Sequence, residues 1–252
     1  MTGGVHGLGA AVCRALAADG LDVAVNYRHS AGAAEALCAE LGRLGGRAIA
    51  LAGDVSDPHA AAALVAQTED RLGRLDVLVC AAGPFRAQRV RVAEADVEAA
   101  AWQALSPGNV AGAIACVAAA LPGMRERRHG RVVTFGMDRV GEAAPWPGRA
   151  AYAAAKAALW SYTQSVAREE ACHGVTANMV APGNIVDPFK EGTIAQARAH
   201  ADHPAAAPIG RPGSGEDVAR VVRFLAALDS DFVTGSVIYL TGAEAVVDRP
   251  WS

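Results

Sequence analysis

The chain has 252 residues, 52% of them apolar and 19% charged, with a formal net charge of −3. That length suits one large α/β domain with its own core, and the composition argues against disorder and against a basic footprint for nucleic acid. Apolar stretches such as 117–121 are cut by Arg125, Arg127 and Arg128 before the ~20 residues a bilayer crossing needs, so no membrane span or signal peptide is expected.

The first element is Thr2-Gly3-Gly4-Val5-His6-Gly7-Leu8-Gly9, directly before helical spacing over 9–18. Glycines permit a tight turn and close backbone approach. A helix behind them offers unpaired N–H groups and a positive dipole end, which together seat a pyrophosphate. Glycine clusters also occur in ordinary turns, so the loop takes its meaning from the motifs downstream of it.

An apolar run over 21–26 predicts a strand, and Asn26-Tyr27-Arg28-His29-Ser30 lies at its end. A protein selecting NAD would place an acid here against the ribose 2′-hydroxyl. Arginine suits a 2′-phosphate instead. With His6 as a second donor on that side, NADP(H) is the expected cofactor.

Helical spacing resumes over 31–44 and 57–72, around a predicted strand at 47–51 and the segment Gly53-Asp54-Val55. A strand over 76–80 leads into Cys80-Ala81-Ala82-Gly83, and further strands are predicted at 131–135, 175–180 and 237–240. The helical pattern over 150–173 carries Tyr152 and Lys156, four apart and therefore on one face. Hydride reduction of a ketone leaves an alkoxide that must be protonated as it forms. A phenol with a pKa of ~10 is a poor donor at neutral pH, and a nearby ammonium is expected to lower that value.

The longest irregular stretch, 183–215, is punctuated by prolines; its part 184–214 reads as a substrate loop with a short helix over 190–201. A last helix is predicted over 215–228. Strands alternating with helices imply a doubly wound parallel sheet covered on both faces, a single Rossmann-type domain over 1–252, with ligands beyond the C-terminal strand ends.

These motifs, in this order, resemble the short-chain dehydrogenase/reductase family along essentially the whole chain, most of all its 3-oxoacyl-acyl-carrier-protein reductase type. The resemblance implies cofactor contacts from Gly3, His6, Gly7, Leu8 and Gly9, from Tyr27, Arg28 and His29, and from Asp54 and Val55. It also implies contacts from Ala81, Ala82 and Gly83, and from Pro182, Gly183 and Ile185. Tyr152 is then the general acid, Lys156 its activator and a ribose ligand, and Asn109 the organiser of a proton-relay water. Relatives usually assemble as tetramers, which places 97–128 and 150–173 at an interface, with a dimer as the smaller alternative.

Four departures stand out. The usual asparagines are Cys80 and Ala81. The family's carbonyl-binding serine is absent from Gly136-Met137-Asp138-Arg139, where Asp138 resembles the aspartate of pteridine-reductase-like members. Such a carboxyl either donates to substrate or simply turns the chain. Asp187 stands where many relatives have a threonine. The family's first, central strand should precede Thr2-Gly3, yet only Met1 does, so that strand is missing or lies upstream of Met1, and a chain starting at Met1 is expected to be marginal or rearranged.

The leading function is therefore NADPH-dependent reduction of a ketone of a small-molecule substrate. The alternatives are reduction of a C=N bond, prompted by Asp138, and a non-catalytic dinucleotide-binding regulator, prompted by the missing serine. His200 and His203 read as loop residues rather than a metal clip, and no metal is expected. The basic run Arg125, Arg127, Arg128, His129 and Arg131 reads as a solvated helix end, with an acyl-carrier-protein contact as the alternative. Trp102, Trp146, Trp160 and Trp251 read as packing or interface residues, Trp146 also as a pocket wall. Cys13, Cys38, Cys80, Cys116 and Cys172 form no C-x-x-C pair and read as buried, reduced thiols of a cytoplasmic protein.

Overall fold

A computed structural model describes residues 1–85, 90–93 and 95–248, so Trp251 lies outside the described residues. Six parallel strands lie in two groups. β1 (Val23–Tyr27) pairs with β2 (Ala48–Ala52), Val23 opposite Ala48. β3 (Val77–Cys80), β4 (Gly130–Phe135), β5 (Val175–Pro182) and β6 (Val237–Leu240) pair in that order, with Val79 opposite Val133 and Met179 opposite Val237.

These Val-rich runs lack a polar face because helices cover both sides. α1 (Gly7–Ala18), α2 (Ala31–Gly42) and α8 (Gly215–Ala226) bury Val12, Leu41 and Leu225 against Val79, Val133 and Val180. On the other face α3 (Pro58–Leu72), α5 (Gly112–Arg127) and α6 (Ala150–Glu170) bury Leu64, Cys116 and Leu159 against Leu78, Val132 and Met179. Neighbouring residues of one strand thus serve opposite layers, as a two-residue repeat requires.

The two strand groups meet at the chain start. The Met1 amino group donates to the Ala24 carbonyl at 2.9 Å, Asn26 N–H to the Met1 carbonyl at 3.0 Å, and Thr2 N–H to the Val79 carbonyl at 3.0 Å. Met1 and Thr2 therefore join the C-terminal ends of β1 and β3. Below them a cleft of about 430 Å³ separates the strands, lined by Val23, Leu72 and Val77. The strands thus form a two-stranded and a four-stranded part bridged by Met1 and Thr2, where a marginal or rearranged sheet was the expectation. The winding direction reverses at this point, which puts the ligand crevice at the glycine loop.

Other expectations hold in part. The stretch 97–128 is one helical run: α4 (Ala95–Ser106) continues through a π-helical turn at Pro107–Ala111 into α5. The run Ala99–Arg127 is long and apolar enough to cross a membrane, yet Ala113, Val117 and Met124 sit in the core. The helix over 190–201 shrinks to a turn at Phe189–Glu191 and α7 (Ile194–Arg198), because Thr193 and Gln196 form a capping box that restarts the chain.

The basic run is a solvated helix end only in part: Arg125 and Arg127 close α5 and Arg125 and Arg128 are exposed, yet each is tied down and Arg131 is buried. Arg125 pairs with Glu170, Arg127 donates to the Leu75 carbonyl at 2.7 Å, and Arg128 donates to the Cys172 carbonyl at 3.0 Å. Arg131 is 2% exposed and binds the Leu228 carbonyl at 3.0 Å. Cys13, Cys80 and Cys116 are buried as expected, but Cys38 is half-buried and Cys172 exposed.

Candidate active site

A cavity of about 710 Å³ opens at the reversal point. Gly3, His6 and the Tyr27-Arg28-His29 segment line one side, and Asp54, Val55, Ala82 and Gly83 another, with Gly108 of the π turn closing the wall. The glycines fit a ligand approached closely by backbone. Gly3 has φ +63°, and a Cβ on it would lie 2.8 Å from the Ala82 nitrogen. A Cβ on Gly9 would lie 2.0 Å from the Gly3 carbonyl oxygen, and one on Gly83 2.3 Å from Asn109 Oδ1. Gly7 and Leu8 begin α1, whose N-cap His6 contributes no side-chain cap. These features suit a dinucleotide phosphate at the helix end.

Arg28 stands at the cavity rim, its side chain mostly exposed, 3.4 Å from Asp54 Oδ2. Asp54 Oδ1 accepts from the Ser56 hydroxyl at 2.7 Å and the Ser56 N–H at 2.9 Å. Those bonds, ahead of Arg28, hold the Asp54 carboxyl below the usual range. Asn26, buried behind the rim, ties the end of β1 to the Gly53 carbonyl at 2.9 Å.

Tyr152 and Lys156 project from the first turns of α6. Lys156 is 5% exposed, and its Nζ donates to the Phe135 carbonyl at the end of β4 at 2.8 Å. Nζ lies 5.5 Å from the centre of the Tyr152 ring. Burial pushes the ammonium down to about 8. Burial also pushes the Tyr152 phenol up to about 12, with only Arg149 acting the other way. The sequence suggested a phenol lowered by lysine; burial acts in the opposite direction and is the larger effect.

Asn109 sits in the π turn, 1% exposed. Its Nδ2 donates to the Pro84 carbonyl at 2.8 Å and to the Leu105 carbonyl at 3.0 Å. Its Oδ1 is buried without a hydrogen-bond partner, an acceptor held ready for a polar group. Phe85 and Trp146 stand edge-on to Tyr152, their ring centres 5.1 and 5.9 Å away. Phe85 was not singled out by the sequence. Pro182 ends β5, and Gly183 N–H bonds the Leu240 carbonyl at 3.0 Å, bringing Gly183 and Ile185 beyond the strand ends. Ala81 packs with the α1 side and Ala82 N–H donates to the Thr2 hydroxyl at 3.2 Å.

Asp138 takes a role that neither expectation included. Its Oδ2 accepts from Val246 N–H at 2.8 Å and Val247 N–H at 3.4 Å, and neighbouring Arg139 pairs with Asp248 at 2.8 Å. Together they clamp the C-terminal turn Val246–Asp248. Asp187 pairs with Lys190 at 3.0 Å. His200 and His203 pack edge-on to Phe189, and no metal-ligating cluster occurs among the described residues. Glu191 reaches the glycine loop, which no local pattern announced: its Oε1 accepts from Gly7 N–H at 2.8 Å.

A fold reversing at a glycine loop, with a half-buried tyrosine and a buried lysine one helical turn apart, defines a nucleotide-dependent α/β oxidoreductase. The family model described as "Enoyl-(Acyl carrier protein) reductase" matches residues 3–242. A 3-oxoacyl-(acyl-carrier-protein) reductase of Synechocystis is 36% identical over 249 residues, covering 98% of this chain and 94% of that protein. The crystal structure of a blue fluorescent protein from a metagenomic library, in complex with NADPH, matches with TM-score 0.82 and 34% identity, over 97% of this chain and 96% of that one. Acetoin dehydrogenase YohF from Salmonella typhimurium matches with TM-score 0.82 and 30% identity, over 96% and 93%. The chain belongs to the short-chain dehydrogenase/reductase family and is an oxidoreductase of the 3-oxoacyl-reductase type. Members of this family bind a nicotinamide dinucleotide, and the cradle formed by Gly3, Gly7 and Gly9 fits one.

Proposed function

We propose that the protein reduces a ketone, of the 3-oxoacyl or a related small-molecule type, to an alcohol with NADPH. The observation that carries this reading is Tyr152 beside buried Lys156, together with the partnerless Asn109 Oδ1, whose neighbours Gly83 and Gly108 line the cavity rimmed by Arg28. The nicotinamide, when bound, supplies a hydride to the carbonyl carbon and is left oxidised.

This chain's part is the proton and the alignment. Tyr152 Oη donates to the carbonyl oxygen and gives up its proton as the C–O bond becomes single. Lys156, fixed on the Phe135 carbonyl, keeps a positive charge beside the forming phenolate and faces the cofactor ribose. Asn109 Oδ1 holds the water through which the phenol is reprotonated from solvent. Arg28 selects the 2′-phosphate through a charge-assisted hydrogen bond.

Reduction of a C=N bond was suggested by Asp138; with Oδ2 on two backbone N–H groups, that reading draws no support from the geometry. The regulator reading conflicts with the joint presence of Tyr152, Lys156 and Asn109. Assembly through the faces of α5 and α6, as a tetramer or dimer, belongs to the same reading, and light scattering would show a single-chain mass if it is wrong. Absorbance at 340 nm over 3-oxoacyl thioesters and simple ketones tests the chemistry. The reading requires oxidation of NADPH by at least one, at higher kcat/KM than NADH; turnover of cyclic imines alone would replace it.

A further inference from the structure

The first-turn N–H groups of a helix have no partners within it, and α1 lacks both a side-chain cap and an acid in its first turn. Glu191, far away in sequence, fills that role. One carboxylate oxygen takes the Gly7 N–H at 2.8 Å and the other takes Arg14 Nη1 at 2.7 Å. Burial works against the charge, but the Arg14 and Gly7 bonds outweigh it and hold this carboxyl below the usual range. Arg14 keeps a second hold on Glu40, at 2.8 Å through Nε and 3.2 Å through Nη2.

The segment carrying Glu191 is anchored on both sides. Phe189 is 2% exposed beneath His200 and His203, and Gly215 approaches the Lys190 carbonyl so closely that a Cβ there would lie 2.1 Å from it. The Lys190 stem covers Gly7, 3.5 Å from where a Cβ would stand, while its Nζ is taken up by Asp187. The carboxylate at the helix end is thus a fixed, charged occupant of a place that attracts phosphate.

We propose that Glu191 is a built-in anion that holds the N-terminus of α1 in the nucleotide-free chain and yields it to the dinucleotide's diphosphate, so that Glu191 sets how tightly the cofactor binds. This rests on the dinucleotide reading of the glycine loop. Two anions cannot share one helix end without repulsion, so binding exchanges the carboxylate for the diphosphate. Arg14 stays in place through Glu40, and the Glu191 side chain turns off Gly7 N–H while its anchored segment stays.

The test is equilibrium binding, by fluorescence or calorimetry, of NADPH, inorganic pyrophosphate and adenosine to wild type, Glu191→Gln and Glu191→Ala. Both variants are expected to bind NADPH and pyrophosphate roughly 3- to 30-fold more tightly, Ala more than Gln, with adenosine unchanged. Glu191→Gln keeps an acceptor for Gly7 N–H and serves where Glu191→Ala fails to fold. NADPH bound by wild type but no more tightly by folded variants overturns the inference while leaving the cofactor reading intact. Tightening of adenosine by the same factor overturns it too, since charge at the helix end would not be the cause. No dinucleotide bound by any of the three removes the cofactor reading and this inference with it.

Discussion

Lys156 Nζ donates to the Phe135 carbonyl at 2.8 Å, which locks the end of α6 that carries Tyr152 onto the end of β4. The lysine is held down at about 8, against an ordinary 10.5, because it is buried. Between those values the unfolded chain binds a proton that the folded chain does not, so this group makes stability rise with pH across that window. In cofactor-free protein, wild type should therefore gain on the order of 2–3 kcal/mol relative to Lys156→Met between about pH 7.5 and 10.5. Urea unfolding of the two at a series of pH values checks it. A constant difference would mean that Lys156 keeps an ordinary pKa.

Gly9 packs against the Gly3 carbonyl with no room for a methyl group. Gly9→Ala should cost about 1–3 kcal/mol through displaced backbone and remove the rise in thermal midpoint that NADPH gives wild type. Retained NADPH stabilisation would show that the loop is not the diphosphate seat.

Asp138 anchors the turn at Val246–Asp248 through two buried N–H groups. Asp138→Ala should cost roughly 1–3 kcal/mol by stranding them and should speed proteolysis near the C-terminus. Its kcat is expected to fall far less than that of Tyr152→Phe. A loss of kcat as large as in Tyr152→Phe, with stability intact, would return Asp138 to the chemistry.

Arg28 is expected to bond the 2′-phosphate at roughly 1.5–3 kcal/mol, so Arg28→Ala should weaken NADPH by about 10- to 150-fold and leave NADH nearly unchanged. Arg28 must leave Asp54 to do so, which puts the effect at the weaker end of that range. Tyr27→Asp/Arg28→Ala should reverse the ratio of kcat/KM for the two cofactors. Equal weakening of both by Arg28→Ala would contradict the assignment.

The strands were legible within about two residues because each is a short, largely apolar run between helical patterns. The glycine loop and the Tyr152/Lys156 pair were legible because their meaning lies in local spacing. What escaped the sequence is long-range. Nothing near Glu191 signals Gly7, nothing near Asp138 signals Val246, and nothing in the basic run shows that Arg131 is buried among carbonyls. The upward push of burial on the Tyr152 phenol escaped because a sequence shows a neighbouring charge but not the depth of burial. The π turn within 97–128 escaped because Pro107 and Gly108 mark a disturbed helix without saying whether it ends or bulges.

We propose that Tyr152 delivers the proton in ketone reduction. The most direct test is NADPH consumption by Tyr152→Phe, with a ketone that wild type turns over, alongside NADPH binding to the same variant. The account predicts NADPH affinity within a few-fold of wild type and a kcat lower by about 10²- to 10⁴-fold. Wild-type kcat in a variant without the phenol would contradict it.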